Sequence, residues 1–419
     1  MADRYDILAD VARQFGTPYF IYFLDDVQAR LEALRQAFGG RFEVSYAVKS
    51  NPNPALLAWL KDRVPALDIS SGGELRRALA AGWSSDRISF TGPGKRSWEL
   101  ADSVSAGVAK LVLESVREAE DLDALAARQG CIQPVLLRIA PASLPRGFGI
   151  NMAGKPTQFG VDEEDAPGAA AAIRKLPHLK LIGFHAYSGT QCVDAKAVGE
   201  NFGIFSRIFC SLAEQSDLRP EALVFGAGFG IPYHGGMNAL DVPAVAAASA
   251  PAFERLASDP RTAGARLYLE MGRYLVGEAG LYLTRVTRIK RSRGSDIAIC
   301  DGGMNHHLGA CGHLGSVIHR NYRIFKIGGS SDGARRPYEL VGPLCTSIDT
   351  LGHGVELPEL REGDLLGVHC SGAYGLTASP VNFISHEPPR EFALERGAIR
   401  EITDAGVGAP WRTAGAARP

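Results

Sequence analysis

Lys49 closes an apolar run, Phe42–Lys49, and is followed by the polar turn Ser50-Asn-Pro-Asn53. An ammonium buried inside a strand is costly, but at a strand end it can reach a cleft, lose its proton and attack a carbonyl as a neutral amine. A strand-end lysine can equally lay its stem on the protein and keep its charge in water, so its company decides. Further along stand Asp68 with Ser70-Ser-Gly-Gly-Glu74, then Thr91-Gly-Pro-Gly-Lys95, Arg138, His185 with Ser188-Gly-Thr190-Gln191, Gly226-Ala-Gly228-Phe-Gly230, and Glu270-Met-Gly272-Arg273. Glycines let backbone N–H groups approach an anion closely. Gly226, Gly228 and Gly230 also fit a dinucleotide fingerprint, but Ile231-Pro-Tyr-His-Gly-Gly236 does not read as the start of a helix, which counts against it. Ser188 and Gly189 can add phosphate contacts. His185 can stack on a flat ring or be a satisfied structural histidine. Glu270 can face a protonated ring nitrogen or be a surface carboxylate, and Arg273 can pair with phosphate or a substrate carboxylate. A reactive amine, an anion cradle, a stacking group and a carboxylate for a pyridinium together describe a site for pyridoxal 5′-phosphate.

The elements that must position these groups form a regular alternation. Apolar strand candidates are Phe42–Lys49, Ala66–Ser70, Arg87–Gly92, Lys110–Ser115, Pro134–Ala140, Lys180–Tyr187, Ala222–Gly228 and Arg266–Gly272, with helical stretches between them. Apolar strands alternating with helices predict a parallel sheet covered on both faces, and eight units fit a closed (β/α)₈ TIM barrel, with every candidate group at the C-terminal rim of its strand. The rhythm changes near residue 275 to short strands with many turns, which predicts a mainly antiparallel β-domain. The expected division is a helix and strand over 1–27, the strand joining the β-domain; a barrel over 28–278; the β-domain over 279–403; and a disordered tail, 404–419, in which Trp411 has no functional role.

Composition narrows the function classes. The 419 residues carry 45 basic and 46 acidic side chains, a formal net charge of −1, which gives no footprint for nucleic acid or an anionic membrane. A 46 % hydrophobic share is that of a globular chain. No apolar run reaches the length of a membrane span, and Met1–Asp6 shows no basic-then-apolar signal, so a cytoplasmic protein is expected. Seven cysteines without C-x-x-C spacing predict reduced thiols, with neither disulfides nor a zinc site.

The ordered set Tyr46-Ala-Val-Lys49-Ser-Asn51, Ser70–Glu74, Gly92–Lys95, His185–Gln191, Gly226–Gly230, Glu270–Arg273, Asp301-Gly-Gly-Met304, Cys345-Thr-Ser-Ile-Asp349 and Gly372-Ala-Tyr374 resembles the signature of the ornithine/diaminopimelate/arginine decarboxylases, the fold-type III pyridoxal-phosphate enzymes. The resemblance runs over about residues 18–395. It implies an alanine-racemase-like barrel with a β-domain, acting on an amino acid, and a homodimer whose two active sites each borrow residues from the partner. It implies that Lys49 binds the cofactor covalently, His185 stacks on its ring and Glu270 pairs with its nitrogen. Asp68, Arg138, Ser188, Gly228, Gly230, Gly272, Arg273 and Tyr374 would hold the rest of the cofactor or neighbouring anionic groups. Cys345 would come from the partner chain and return a proton to the substrate after carbon dioxide leaves. Alone, it would read as a small buried hydrophobe.

Two departures bear on the substrate. Family members acting on diamino acids carry an acid after the cysteine; here it is Thr346. Diaminopimelate enzymes carry Arg-Pro-x-x-Tyr after the D-G-G-M turn; here Met304 is followed by Asn305-His306-His307-Leu-Gly309. A cationic side chain without its carboxylate would be buried unpaired. Met152–Gly160, Asp301–His307, Gly342–Thr346, Ser371–Leu376 and Ser379-Pro-Val381 resemble a narrower group, the butirosin-type L-glutamyl-[acyl-carrier protein] decarboxylases and exosortase-associated relatives. That resemblance implies an aminoacyl thioester on an acyl-carrier protein, with Thr346, Asp349, His306, His307 and Tyr374 near the substrate. The insertion Ser143–Gln158, with Arg146, Asn151 and Lys155, would line the path of the carrier arm or be a surface loop. His306 and His307 lack a third ligand for zinc, which leaves them to face the substrate or to support the residues that do. A decarboxylase of a free amino acid, a racemase on the same fold and a non-catalytic partner-binding homologue are the alternatives. The cysteine motif favours decarboxylation over racemisation, and the retained Lys49, Glu270, Cys345 and Tyr374 favour catalysis.

Overall fold

The computed structural model describes residues 4–313, 320–328 and 334–407. Residues 408–419, which include Trp411 and most of the expected tail, lie outside the described residues; Asp404–Val407 form a turn in which Val407 is buried. Two compact units divide the chain. One comprises 29–231 and 238–274, the other 1–28, 232–237 and 275–419.

The first unit is a closed barrel of eight parallel strands: Phe42–Ala47, Ala66–Ile69, Ile88–Phe90, Lys110–Leu113, Gln133–Ala140, Leu179–Ala186, Ala222–Gly226 and Arg266–Met271. Each pairs with the next, and the eighth pairs with the first through Glu270↔Ser45 and its neighbours. Ala66, Val112, Leu136, Ala222, Val224 and Tyr268 pack together as one buried cluster of the barrel. Outside, Phe38, Phe42, Phe202, Phe225 and Phe253 meet in edge-to-face pairs between strands and helices. Local chemistry starts the helices. Ser71 and Ser115 accept from the N–H of Glu74 and Glu118, whose carboxylates reach back to the N–H of Ser70 and Glu114.

Among the described residues, the second unit is a nine-stranded, mainly antiparallel sheet. Tyr19–Phe23 lies between Gly280–Ser292, antiparallel, and Arg390–Glu395, parallel. The helix Arg4–Phe15 packs Leu8 and Val11 with Ile21, Leu283 and Phe392. The unit also contains the strands Ile324–Ile327, Thr350–Pro358 and Ala398–Glu401. Thr350–Pro358 carries Gly352 and Gly354, which weaken a strand pattern, and Ala398–Glu401 is a fully exposed edge with no alternating apolar face. Among the described residues no helix is long and apolar enough to cross a membrane.

Candidate active site

The first strand ends two residues before Lys49. Chain continuity into Asn51-Pro-Asn53 favours a single 3₁₀ turn, Val48–Ser50, in which the Ser50 hydroxyl donates to the Ala47 carbonyl at 2.8 Å. Asn53 then caps the helix Pro54–Leu60, accepting from Ala55 and Leu56. Lys49 is thereby lifted onto the rim, where its Nζ lies 3.4 Å from Glu270 Oε1 and 4.0 Å from Asp68 Oδ2. Its side chain keeps 42 % of its exposure, while those two carboxylates keep 4 % each.

Glu270 sits near the end of the eighth strand, and its Oε2 is 2.8 Å from His185 Nε2, on the sixth. Burial opposes ionisation of Glu270, yet the charge of Lys49 and the hydrogen bond from His185 hold its carboxyl well below the usual range. Burial lowers the His185 imidazole, against the pull of Glu270. Asp68 is pushed up by burial and by the nearby Glu270 charge. Thr91 Oγ1 donates to Asp68 Oδ1 at 2.5 Å. Two buried carboxylates, pushed in opposite directions, therefore share the rim with one part-exposed lysine. Among the described residues, Asp68 Oδ2 and His185 Nδ1 are buried with no hydrogen-bond partner. Buried polar atoms left this way are rare and call for an explanation.

Arg138, on the fifth strand, donates to Glu114 at 2.9 Å, and Glu114 also accepts from the Gly160 N–H at 2.6 Å. Glu114 follows the fourth strand; the strand-end rule that found the other groups would have found it too. Asn201 is the other omission. It sits on the helix Ala195–Gln215 and accepts from the Ser188 hydroxyl at 2.7 Å, and nothing in a helical pattern marks it.

The glycines have more than one reason to be there. Gly230 does not offer its N–H to a ligand, because it donates to the Cys192 carbonyl at 2.7 Å. A Cβ on Gly228, whose φ is +64°, would stand 2.4 Å from the Gly189 carbonyl oxygen. The turn after strand seven is thus zipped to the loop after strand six, with Cys192 bridged to Phe229. Among the described residues, the N–H groups of Gly228 and Phe229 make no hydrogen bond. Gly272 is also a packing glycine, since a Cβ there would lie 2.4 Å from Ser50 Oγ in the lysine turn. Arg273 opens the short helix Arg273–Val276.

The insertion after strand five is anchored. Ile150–Asn151 pairs antiparallel with Gly189–Thr190, and the Met152 N–H donates to the Ser188 carbonyl at 2.9 Å. Ser143, Leu144 and Pro145 line a cavity of about 730 Å³ with the outer helices; its described lining includes neither Arg146 nor Lys155.

The remaining candidates belong to the β-unit. Cys345 is exposed in the loop Gly342–Asp349. Asp349 does not face a substrate. It is buried, and its carboxylate accepts from the Met304 N–H at 2.6 Å and the Leu344 N–H at 2.8 Å, clamping the cysteine loop to the D-G-G-M turn. Tyr374 has φ +54° and follows Gly372, where a Cβ would meet the Val276 carbonyl oxygen at 1.8 Å. His306 and His307 are not substrate-facing. Both are buried: His306 contacts the Tyr282 hydroxyl and the Glu387 carbonyl, and His307 contacts Ser371 Oγ and accepts from the Ala310 N–H. Each imidazole is satisfied inside the unit, so the pair reads as core.

Burial lowers these histidines to about 4 for His306 and about 3 for His307. The unfolded chain therefore binds more protons below its ordinary histidine pKa of about 6.5. Their contribution is intact above that pH and is lost as pH falls through 6.5 towards 4, at up to about 1.4 kcal/mol per pH unit for each imidazole. Denaturant titrations between pH 7.5 and 4.5 are expected to show this decline, and a His306→Gln, His307→Gln double variant should make it shallower, the buried His185 and His369 keeping their share. An equally steep decline in that variant would count against the assignment.

Residues 24–277 match the family described as pyridoxal-dependent decarboxylase, pyridoxal binding domain. The chain belongs to this family. It is 34 % identical over 408 residues to the L-glutamyl-[BtrI acyl-carrier protein] decarboxylase of Niallia circulans, covering 97 % of this chain and 95 % of that one. It is 29 % identical over 385 residues to the diaminopimelate decarboxylase of Bacteroides thetaiotaomicron, covering 89 % and 95 %. Among solved structures, diaminopimelate decarboxylase from Helicobacter pylori complexed with L-lysine superposes with a TM-score of 0.82 at 28 % identity, covering 94 % of this chain and 96 % of that one. The protein is a pyridoxal-phosphate-dependent amino-acid decarboxylase with the TIM-barrel and β-domain architecture of fold type III. The unpartnered Asp68 and His185 atoms fit a site that takes the cofactor.

Proposed function

We propose that this decarboxylase removes the α-carboxylate of a glutamyl-like group held as a thioester on an acyl-carrier protein, working as a cytoplasmic homodimer with shared sites. The observation that carries the reading is Thr346, a neutral side chain beside the exposed Cys345, in a chain 34 % identical over 97 % of its length to a decarboxylase of carrier-bound glutamyl groups. A free diamino acid would bring its distal ammonium to this position, and a hydroxyl offers it no charge partner. A thioester asks for none.

In this reading Lys49 would hold the cofactor aldehyde, His185 would lie against the ring, and Glu270, kept ionised, would pair with the ring nitrogen. Asp68 and Arg138 would help to hold the ring, and Ser188, Gly228, Gly272, Arg273 and Tyr374 would take the phosphate or neighbouring anionic groups. When bound, pyridoxal phosphate supplies the electron sink that makes loss of the carboxylate feasible. Lys49, between Glu270 and Asp68, accepts and returns the proton at Nζ. Cys345 Sγ gives a proton to the α-carbon, and Asp349 positions its loop.

Decarboxylation of a free diamino acid is the second reading, favoured by the diaminopimelate decarboxylases among the relatives. Carbon dioxide release by the holoenzyme separates the two. The panel holds glutamyl-carrier protein, free glutamate, meso-diaminopimelate, ornithine, lysine and arginine. Release from glutamyl-carrier protein alone is expected; turnover of only a free diamino acid would overturn the reading.

A further inference from the structure

The β-unit contains a cavity of about 900 Å³, at the upper end of the range for small-molecule sites. Ser347, Ile348 and Thr350 form one side of it, and Ser347 and Ile348 belong to the same loop as Cys345 and Thr346. His234, His313, His353 and Arg320 also line it, and none of the described lining residues is acidic. Arg320 brings a permanent charge in a fork suited to phosphate oxygens. The imidazoles are held in place. His234 Nδ1 is 3.0 Å from the Asn321 carbonyl, His313 Nε2 is 3.0 Å from the Ile348 carbonyl, and His353 Nδ1 is 2.7 Å from Glu339 Oε2. One ring nitrogen of each is thereby fixed. His313 follows Cys311 and Gly312, which also line the cavity and stand in the turn after His306-His307. The loop that carries the exposed thiol thus also lines a roomy chamber that holds one guanidinium and has no acidic residue among its described lining.

We propose that this cavity is the binding site for the phosphate-bearing portion of a phosphopantetheine arm, with Arg320 as its principal phosphate contact. The proposal rests on the carrier-bound reading of the substrate. A chain reacting beside Cys345 and passing Thr346 meets Ser347 and Ile348 next, so the cavity is the space its tail enters. The arm is long, amide-bearing and ends in a phosphodiester, which matches a large chamber with one guanidinium and several imidazoles. A free amino acid has nothing to place there.

The test uses the pyridoxal-phosphate-loaded full chain and two small substrates, the glutamyl thioesters of phosphopantetheine and of pantetheine, which differ only in the phosphate. The wild type is expected to show a KM about tenfold lower for the phosphorylated thioester at similar kcat, the size of one charge-assisted contact. Inorganic phosphate should erode that preference by competition. Arg320→Ala should bring the two KM values together, and Arg320→Lys should retain part of the gap. Equal KM values in the wild type would overturn the proposal without any variant, as would a preference that Arg320→Ala leaves intact. If neither thioester nor glutamyl-carrier protein is turned over while a free amino acid is, the substrate reading has failed and the arm site with it. If both thioesters react equally well, the substrate reading stands and only the arm site is lost.

Discussion

Lys49→Arg is expected to lower carbon dioxide release by more than about 1000-fold, the scale of losing a covalent nucleophile, while the protein stays folded. Arginine keeps the positive charge that faces Glu270 at 3.4 Å and Asp68 at 4.0 Å. It cannot shed that charge near neutral pH, so it cannot act as a neutral amine. The substitution therefore separates two roles that alanine would remove together. If Lys49 served only to balance the buried carboxylates, Lys49→Arg would retain much of the activity. If it holds the cofactor, reduction with borohydride should fix the cofactor to the wild-type peptide containing Lys49 and to no peptide of the variant. Retention of more than about a tenth of wild-type turnover would rule out the nucleophile role, since even one positioned acid–base group is worth 10²–10⁴-fold.

For Cys345→Ala a fall in kcat of about 10²- to 10⁴-fold is expected, the range for removing a positioned general acid. The thiol is exposed on its own chain, an odd place for a cysteine without a task outside that chain. The stronger expectation concerns a mixture. When Lys49→Ala and Cys345→Ala chains are unfolded and refolded together in equal amounts, about half of the dimers carry one of each. Each mixed dimer would have one site with both residues intact, so about a quarter of wild-type activity should return. No recovery, with mixed dimers demonstrated by mass, would mean that Lys49 and Cys345 serve the same site from the same chain. Cys345→Ala retaining near wild-type turnover would remove the thiol from the reaction altogether.

The clamp on that loop shows what a sequence hides. Asp349 stands in the motif Cys345-Thr-Ser-Ile-Asp349, and proximity to the cysteine makes it look like a substrate ligand. In three dimensions its carboxylate is spent on the N–H groups of Met304 and Leu344. Gly303 and Gly342 are glycines partly because a Cβ on either would come within 2.2 Å of that carboxylate. His306 and His307 misled for the same reason: adjacent polar residues after a signature turn look functional until their partners, Tyr282, Glu387 and Ser371, are seen to come from 24 to 81 residues away. Glu114 went the other way, a plain strand-end residue that proves to be the partner of Arg138.

The sequence by itself determined the barrel, because alternation of apolar strands and amphipathic helices depends on local periods of two and 3.6 residues. It also placed Lys49, Asp68, His185 and Glu270 at one rim, since parallel strands joined by right-handed crossovers must all end on the same side. Only the tertiary structure decided which groups touch. Whether the Gly230 N–H meets a ligand or the Cys192 carbonyl, whether the Ser50 side of the lysine turn requires Gly272, and whether a histidine is wet or dry are set by closure of the ring and packing of the sheet. Those are contacts between residues far apart in sequence. No local pattern encodes them, because the short-range preferences of each segment are equally content with either partner.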